Sequence, residues 1–228
     1  MIDEFEFSVD IGGGEEVPAI LAMPEDPSPV GILLAPGAGA GQDHPWLGHV
    51  RRALAERGHP TMTFDYRYQA LGRRFPDPLG VRLAVHEAAA TNLAARVEGV
   101  VLAGKSMGSR IGAHLVADVG FPAVATVAYG FPLVPAGKTE PRDVTYLARI
   151  VEPQLFVSGS RDPLSPPELL ADVVADLPDA ELVVVDGADH SFNLPKRAGR
   201  STAAVLDDLA AETVRFVADR VGQLGGGR

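Results

Sequence analysis

The sequence predicts an α/β fold, a mostly parallel sheet with helices on both faces, entered through an antiparallel hairpin. Three observations predict it. Short apolar runs alternate with amphipathic stretches of helical length from residue 30 onward. The run Val30 to Ala35 is apolar throughout, as a strand covered on both faces reads. Several runs end abruptly at loops rich in glycine or aspartate, where strands of such a sheet hand over to helices.

In order, Phe5, Phe7 and Val9 alternate with polar neighbours, and Gly12-Gly13-Gly14 turns the chain into Val17 to Met23, the pattern of a hairpin. Val30 to Ala35 then feeds the loop Pro36-Gly37-Ala38-Gly39-Ala40-Gly41. Trp46 to Arg57 has helical spacing and stops at Gly58, with Pro60 beyond, and Thr61 to Phe64 reads as a strand. Asp65 to Pro78 reads as loop and Leu79 to Ala95 as helix. Gly99 to Ala103 is a strand, Met107 to Val119 the helix behind it, and Ala123 to Ala128 the next strand. Gly130 to Arg149, broken by Pro132, Pro135 and Pro141, predicts an irregular excursion too short for a full cap domain. Gln154 to Val157, Pro166 to Leu177, Glu181 to Val185 and Thr202 to Val221 complete the alternation as strand, helix, strand, helix. Nothing repeats, and Gly225 to Arg228 reads as a disordered tail.

With 228 residues, 46% of them hydrophobic, the chain suffices for one domain spanning 1–228. A net charge of -10 argues against nucleic acid as a partner, because phosphate binding needs clustered Lys and Arg. The absence of cysteine removes disulfides, thiolate metal sites and a Cys nucleophile. The start, Met1 to Glu6, is acidic and alternating, unlike a secretory signal, and no apolar run is long enough to span a bilayer. The expectation is a cytoplasmic protein with no membrane partner; its oligomeric state is not legible.

Gly104-Lys105-Ser106-Met107-Gly108 fits two incompatible motifs. With Gly99 it spells G-x-x-x-x-G-K-S, a phosphate-binding loop; alone it is G-x-S-x-G, a serine nucleophile elbow. A phosphate loop needs glycine-permissive backbone curling around an anion, yet the intervening residues are Val100, Val101, Leu102 and Ala103. An elbow needs an apolar strand ending at a glycine, a serine on a strained turn, a close-packed glycine and a helix, and all are present.

Serine requires a base, and the base a carboxylate to orient it. Asp162 follows Leu155-Phe156-Val157 through a Ser158 to Arg161 turn, and His190 follows Leu182 to Val185 through Asp186 to Asp189. Both would project at the carboxyl edge of the sheet, where ligands gather in open α/β folds. Asp162 also reads as a turn aspartate before Pro163, with Asp186 and Asp189 as fallback acids. His59, at a turn, and His86 and His114, inside helices, read as packing or surface residues, whereas His44 and His49 lie near the loop after Ala35. An oxyanion formed during acyl transfer needs preorganised amides, which points to Met107 and to Ala38, with Gly39 next. Gln42 replaces the last glycine of a dinucleotide fingerprint, so that reading is weak. Arg73 and Arg74 read as solvated or paired more than as anion binders, Tyr66, Tyr68, Phe131 and Phe192 as core more than pocket walls, and Lys105 as packing or solvent-facing.

These residues give the chain a resemblance to small α/β hydrolases related to dienelactone hydrolases, in the Tex- and KANL-type hydrolase-like branch. It rests on Pro36 to Gly41, Gly72 to Pro78, Gly104 to Arg110, Gly130 to Leu133, Gly159 to Pro163 and Asp189 to Phe192, and runs through most of the chain. The resemblance implies the fold and a Ser106, Asp162, His190 triad. Relatives carry His-Gly where this chain has Pro36-Gly37, and dienelactone hydrolases carry Cys in place of Ser106. The expected function is a cofactor-free and metal-free serine hydrolase acting on an ester or thioester of a small or medium acyl group. The alternative is a hydrolase-like binding or scaffolding module.

Overall fold

In the computed structural model, which describes residues 1–221, eight strands form one sheet in the order β1-β2-β4-β3-β5-β6-β7-β8. The hairpin pairs β1 (Ile2–Gly12) with β2 (Glu15–Pro24), and β2 runs antiparallel to β4 (Thr61–Phe64). From β4 onward every neighbour is parallel: β3 (Val30–Ala35), β5 (Gly99–Lys105), β6 (Ala125–Tyr129), β7 (Gln154–Gly159) and β8 (Ala180–Val185). All six residues of β3 are buried, which is why its sequence shows no alternation. β8, at the edge, is only half-buried.

Helices α1 (Pro45–Ala55) and α6 (Thr202–Arg220) cover one face through Trp46, Leu47, Val50, Leu54, Leu209 and Phe216. Helices α3 (Leu79–Ala94), α4 (Met107–His114) and α5 (Pro167–Ala175) cover the other, packing Ala89, Leu93, Ile111 and Leu170. The expected alternation is therefore present. Two segments carry more structure than their sequence suggests. Asp65 to Pro78 contains a helical turn, α2 (Arg67–Ala70), and the excursion from Gly130 to Arg149 ends in a 3-10 turn over Thr145–Arg149 with no other regular structure. After His114 the predicted helix widens to a π-type turn, Leu115–Val119, before Gly120 ends it in the left-handed conformation. The tail read as disordered, Gly225 to Arg228, lies outside the described residues.

Chain order places the site. From β3 the chain crosses to β4 on one side and then returns to β5 on the other, so the loops leaving β3 and β5 diverge and open a crevice at their carboxyl ends. Register pairs Ala35 with Gly104, which brings the Pro36 loop level with Ser106.

Candidate active site

Ser106 has φ 49° and ψ -112°, a conformation that costs a non-glycine residue about 1–3 kcal/mol. Its neighbours hold it there. A Cβ on Gly104 would fall 2.3 Å from the Ser109 nitrogen, and one on Gly108 would fall 2.5 Å from the Ala35 carbonyl oxygen. Only glycine lets α4 press this closely on β3 and β5, and that contact forces the sharp turn. The competing phosphate-loop reading fails here, because Gly99–Lys105 is a strand whose backbone pairs with β3 and β6.

β7 and β8 bring the other two side chains to the same edge. His190 Nε2 lies 3.0 Å from Ser106 Oγ, and His190 Nδ1 lies 2.7 Å from Asp162 Oδ2. Asp162 is fully buried at its side chain, and its other oxygen accepts the amides of Leu164 (2.8 Å) and Ser165 (3.2 Å). It is thus both the turn aspartate and the histidine's partner. The fallback acids are occupied elsewhere: Asp186 accepts the Ser160 hydroxyl, while Asp189 accepts the amides of Ser191 and Asn193 and so shapes the loop presenting His190. Gly130, with φ 63°, packs against this pair. A Cβ there would come within 3.2 Å of both Asp162 Oδ2 and His190 Nδ1.

The loop after β3 faces the serine from the other side of the crevice. The amide hydrogens of Ala38 and Met107 have no hydrogen-bond partner among the described residues. The Gly39 amide donates instead to the Tyr68 hydroxyl at 3.3 Å, which favours Ala38 over Gly39 as the free donor. Gln69 is the main strut: its Oε1 accepts the Tyr66 amide at 2.9 Å, and its Nε2 donates to the Gly37 carbonyl at 3.3 Å and also to the Ala40 carbonyl. Asp65 Oδ1 accepts the Gln42 amide at 2.7 Å. The Gly37 and Ala40 carbonyls are therefore both engaged as acceptors of Gln69.

A cavity of about 400 Å³ opens over Ser106 and His190, walled by Gly37 to Ala40, His44, Trp46, Leu47, Lys105 and Leu164. That volume suits a small or medium organic ligand. Lys105 thus lines the pocket, where a packing or solvent-facing role was expected. Of the other histidines, His44 caps α1 by accepting the Trp46 amide and reaches the pocket, whereas His49 bonds Asp207 in a separate charged cavity with Glu4, Arg51 and Arg52. His59 bonds the Val30 carbonyl, His114 pairs with Asp118, and His86 is buried against the Tyr66 hydroxyl. Burial lowers the His86 pKa to about 3. Tyr66, Tyr68, Phe131 and Phe192 are core, and Arg73 and Arg74 are exposed away from the pocket. No group of three or more His, Asp or Glu side chains among the described residues is placed to hold a metal ion, and no helix among them is long and apolar enough to cross a membrane.

The parallel sheet, the strained serine at its centre and the lack of a large cap define an α/β hydrolase fold. Residues 28–218 match the family described as alpha/beta hydrolase domain, and the chain belongs to that family. Its structure is similar to that of an alpha-beta serine hydrolase homologue from Coxiella burnetii, with TM-score 0.74, 20% identity, and 92% of this chain and 97% of the other covered. It is also similar to a dienelactone hydrolase from Anabaena variabilis, with TM-score 0.73, 20% identity and coverage of 96% and 98%. An esterase from Pyrococcus furiosus superposes with TM-score 0.76 at 15% identity, covering 97% and 92%.

Asp65, Tyr68 as a hydroxyl ligand, Gln69 and Lys105 are the site residues that sequence reasoning missed. Only Lys105 carried a signal, its place inside the elbow motif. Gln69 acts across 29 and 32 positions, and no sequence motif marks its partners.

Proposed function

We propose that this chain is a serine hydrolase that cleaves an ester or thioester of a small or medium acyl group through an acyl-enzyme. The observation that carries the reading is the continuous hydrogen-bond chain from Ser106 through His190 to Asp162 at the wall of the cavity. Ser106 Oγ attacks the acyl carbon while His190 Nε2 takes its proton, and the buried Asp162 carboxylate stabilises the imidazolium that forms. The carbonyl oxygen becomes an oxyanion, stabilised by the amides of Met107 and Ala38. Collapse expels the alcohol or thiol, which leaves with the proton from His190. Water then attacks the acyl-enzyme by the same route, giving its proton to His190 and releasing the acid as Ser106 recovers its hydrogen.

A binding module without turnover would fit a loop whose carbonyls fill the oxyanion position. The hold of Gln69 on the Gly37 and Ala40 carbonyls supports turnover instead. A fluorophosphonate probe should label Ser106, and p-nitrophenyl esters should be hydrolysed. Ser106→Ala should abolish labelling and lower kcat by about 10⁴-fold or more. Well-folded wild-type protein that neither labels nor hydrolyses any ester would overturn the assignment.

A further inference from the structure

Lys105 is the one lysine or arginine among the described residues that line the cavity over Ser106. Its ammonium has three N–H donors, yet among the described residues it makes no hydrogen bond and lies within ion-pair distance of no carboxylate. The two acids nearest in effect are already engaged: Asp162 by His190 and two amides, Asp189 by the amides of Ser191 and Asn193. Its stem passes the Gly37 backbone, and the ammonium sits 5.8 Å from the Phe192 ring centroid, a weak cation–π contact that fixes position without using the donors.

The pocket around it sharpens the point. No Asp or Glu lines this cavity; its walls are glycine and alanine backbone, Trp46, Leu47, Leu164, Ser106, Ser191 and two histidines. His44, also in the lining, accepts the Trp46 amide on Nδ1, which leaves Nε2 as its ring nitrogen able to donate. A chain of net charge -10 therefore presents its nucleophile in a pocket that no carboxylate lines and that one unpaired lysine does. Lys105 is half-buried, so its ammonium has lost part of its hydration while its donors stay open to a ligand, and an anion placed against it would meet a charge with no competing partner.

We propose that Lys105 is the specificity residue of this pocket and that the acyl group it receives carries a carboxylate. The inference rests on the serine-hydrolase reading above and names its substrate class as the esters or thioesters of dicarboxylic acids. A single ammonium, a point charge without a guanidinium fork beside it, matches one carboxylate at the far end of a short acyl chain. Because the overall negative charge repels anions, a preference for such a substrate has to arise locally.

Burial lowers the Lys105 pKa to about 8, against the opposing pull of Asp162 and Asp189. The ammonium is present below that value and lost above it, so the preference should fade as pH rises through 8. His190 and His44 also face the pocket, and Asp162 and Asp189 lie behind it. A ratio of two substrates measured at one pH cancels the titrations that both substrates share.

The test compares kcat/KM for p-nitrophenyl esters of succinic, glutaric and adipic half-acids with the neutral butyryl, valeryl and hexanoyl esters, after subtraction of the uncatalysed rate. Wild-type protein should favour the best anionic ester over its neutral match by about tenfold at low ionic strength and about pH 6.5, and lose that margin by about pH 9. Lys105→Met should abolish the ratio, which a general loss of activity leaves unmoved. Lys105→Arg should restore it and keep it at the higher pH. Equal ratios in wild type and Lys105→Met, with Ser106 still labelled by fluorophosphonate, would overturn the role of Lys105 while leaving the hydrolase reading intact. A protein that neither labels nor turns over any of the esters would overturn both.

Discussion

The two walls of the crevice over the serine are held by opposite means. At the elbow, the conformation of Ser106 follows from contacts of a few residues' range, with two missing Cβ atoms allowing α4 to touch β3 and β5. The facing loop, Pro36 to Gly41, has little of its own to hold it, one long bond from the Ala40 amide to the Gly37 carbonyl at 3.5 Å and a left-handed Gly39. Its shape is imposed from about 30 residues away by Tyr68 and Gln69, and its end is held by Asp65. One wall is set by steric exclusion and the other by hydrogen bonds, so the first should fail as a unit and the second by degrees.

Gly108→Ala gives the largest expected effect, because a methyl 2.5 Å from the Ala35 carbonyl cannot be absorbed by a side-chain shift. It should destabilise the fold by about 3 kcal/mol or more, read as a drop in the urea midpoint, and remove fluorophosphonate labelling. A variant of unchanged midpoint would show that the elbow is not sterically locked. Gln69→Ala should leave the fold largely intact but free the Gly37 and Ala40 carbonyls, lowering kcat by about 10- to 100-fold with a smaller change in KM. Tyr68→Phe removes only the acceptor of the Gly39 amide and should lower kcat by about fivefold, the worth of one neutral hydrogen bond. If Tyr68→Phe proved the more damaging of the two, the ranking of the struts would invert.

The smallest effect at neutral pH concerns His86, which bonds the Tyr66 hydroxyl beneath α2 and packs near Gly112 of α4, so it joins the supports of both walls. Its folded pKa of about 3 lies below that of the unfolded chain, about 6.5. Between those values the unfolded state binds the extra proton, so stability is full above pH 6.5 and falls as pH drops toward 3. Urea titrations across that window should show His86→Met with a pH slope shallower than wild type by about one proton. Identical slopes would remove His86 from the acid response.

Legibility in the sequence tracks the same division. Gly104, Ser106 and Gly108 are readable because steric rules act within a few residues, and β3 and β5 because burial on both faces leaves continuous apolar runs. Asp162 and His190 are readable as positions, each one loop beyond a strand, since parallel strands deliver their carboxyl ends to one edge. The hydrogen bonds of Tyr68 and Gln69 are not readable. They lie in a segment whose proline, arginine and glycine content masks a single helical turn, and their partners are backbone atoms, which carry no sequence mark. The exposure of Lys105 to the pocket depends on which way one strand residue turns as the elbow begins, which alternation alone leaves open.

Gly130 has one more consequence. Because the chain there lies flat on the Asp162 and His190 pair, and Arg142 bonds back to the Pro132 and Leu133 carbonyls, the root of the excursion is pinned while residues 136–141 between them are exposed. Val134 bonds the carbonyl of Leu164, a residue of the pocket wall, and so ties that anchored root to the roof over the serine. The segment is a natural graft point: longer inserts placed between residues 136 and 141 would re-roof the cavity and change what enters it, while the hydrogen-bonded Asp162 and His190 pair below stays covered by bare backbone.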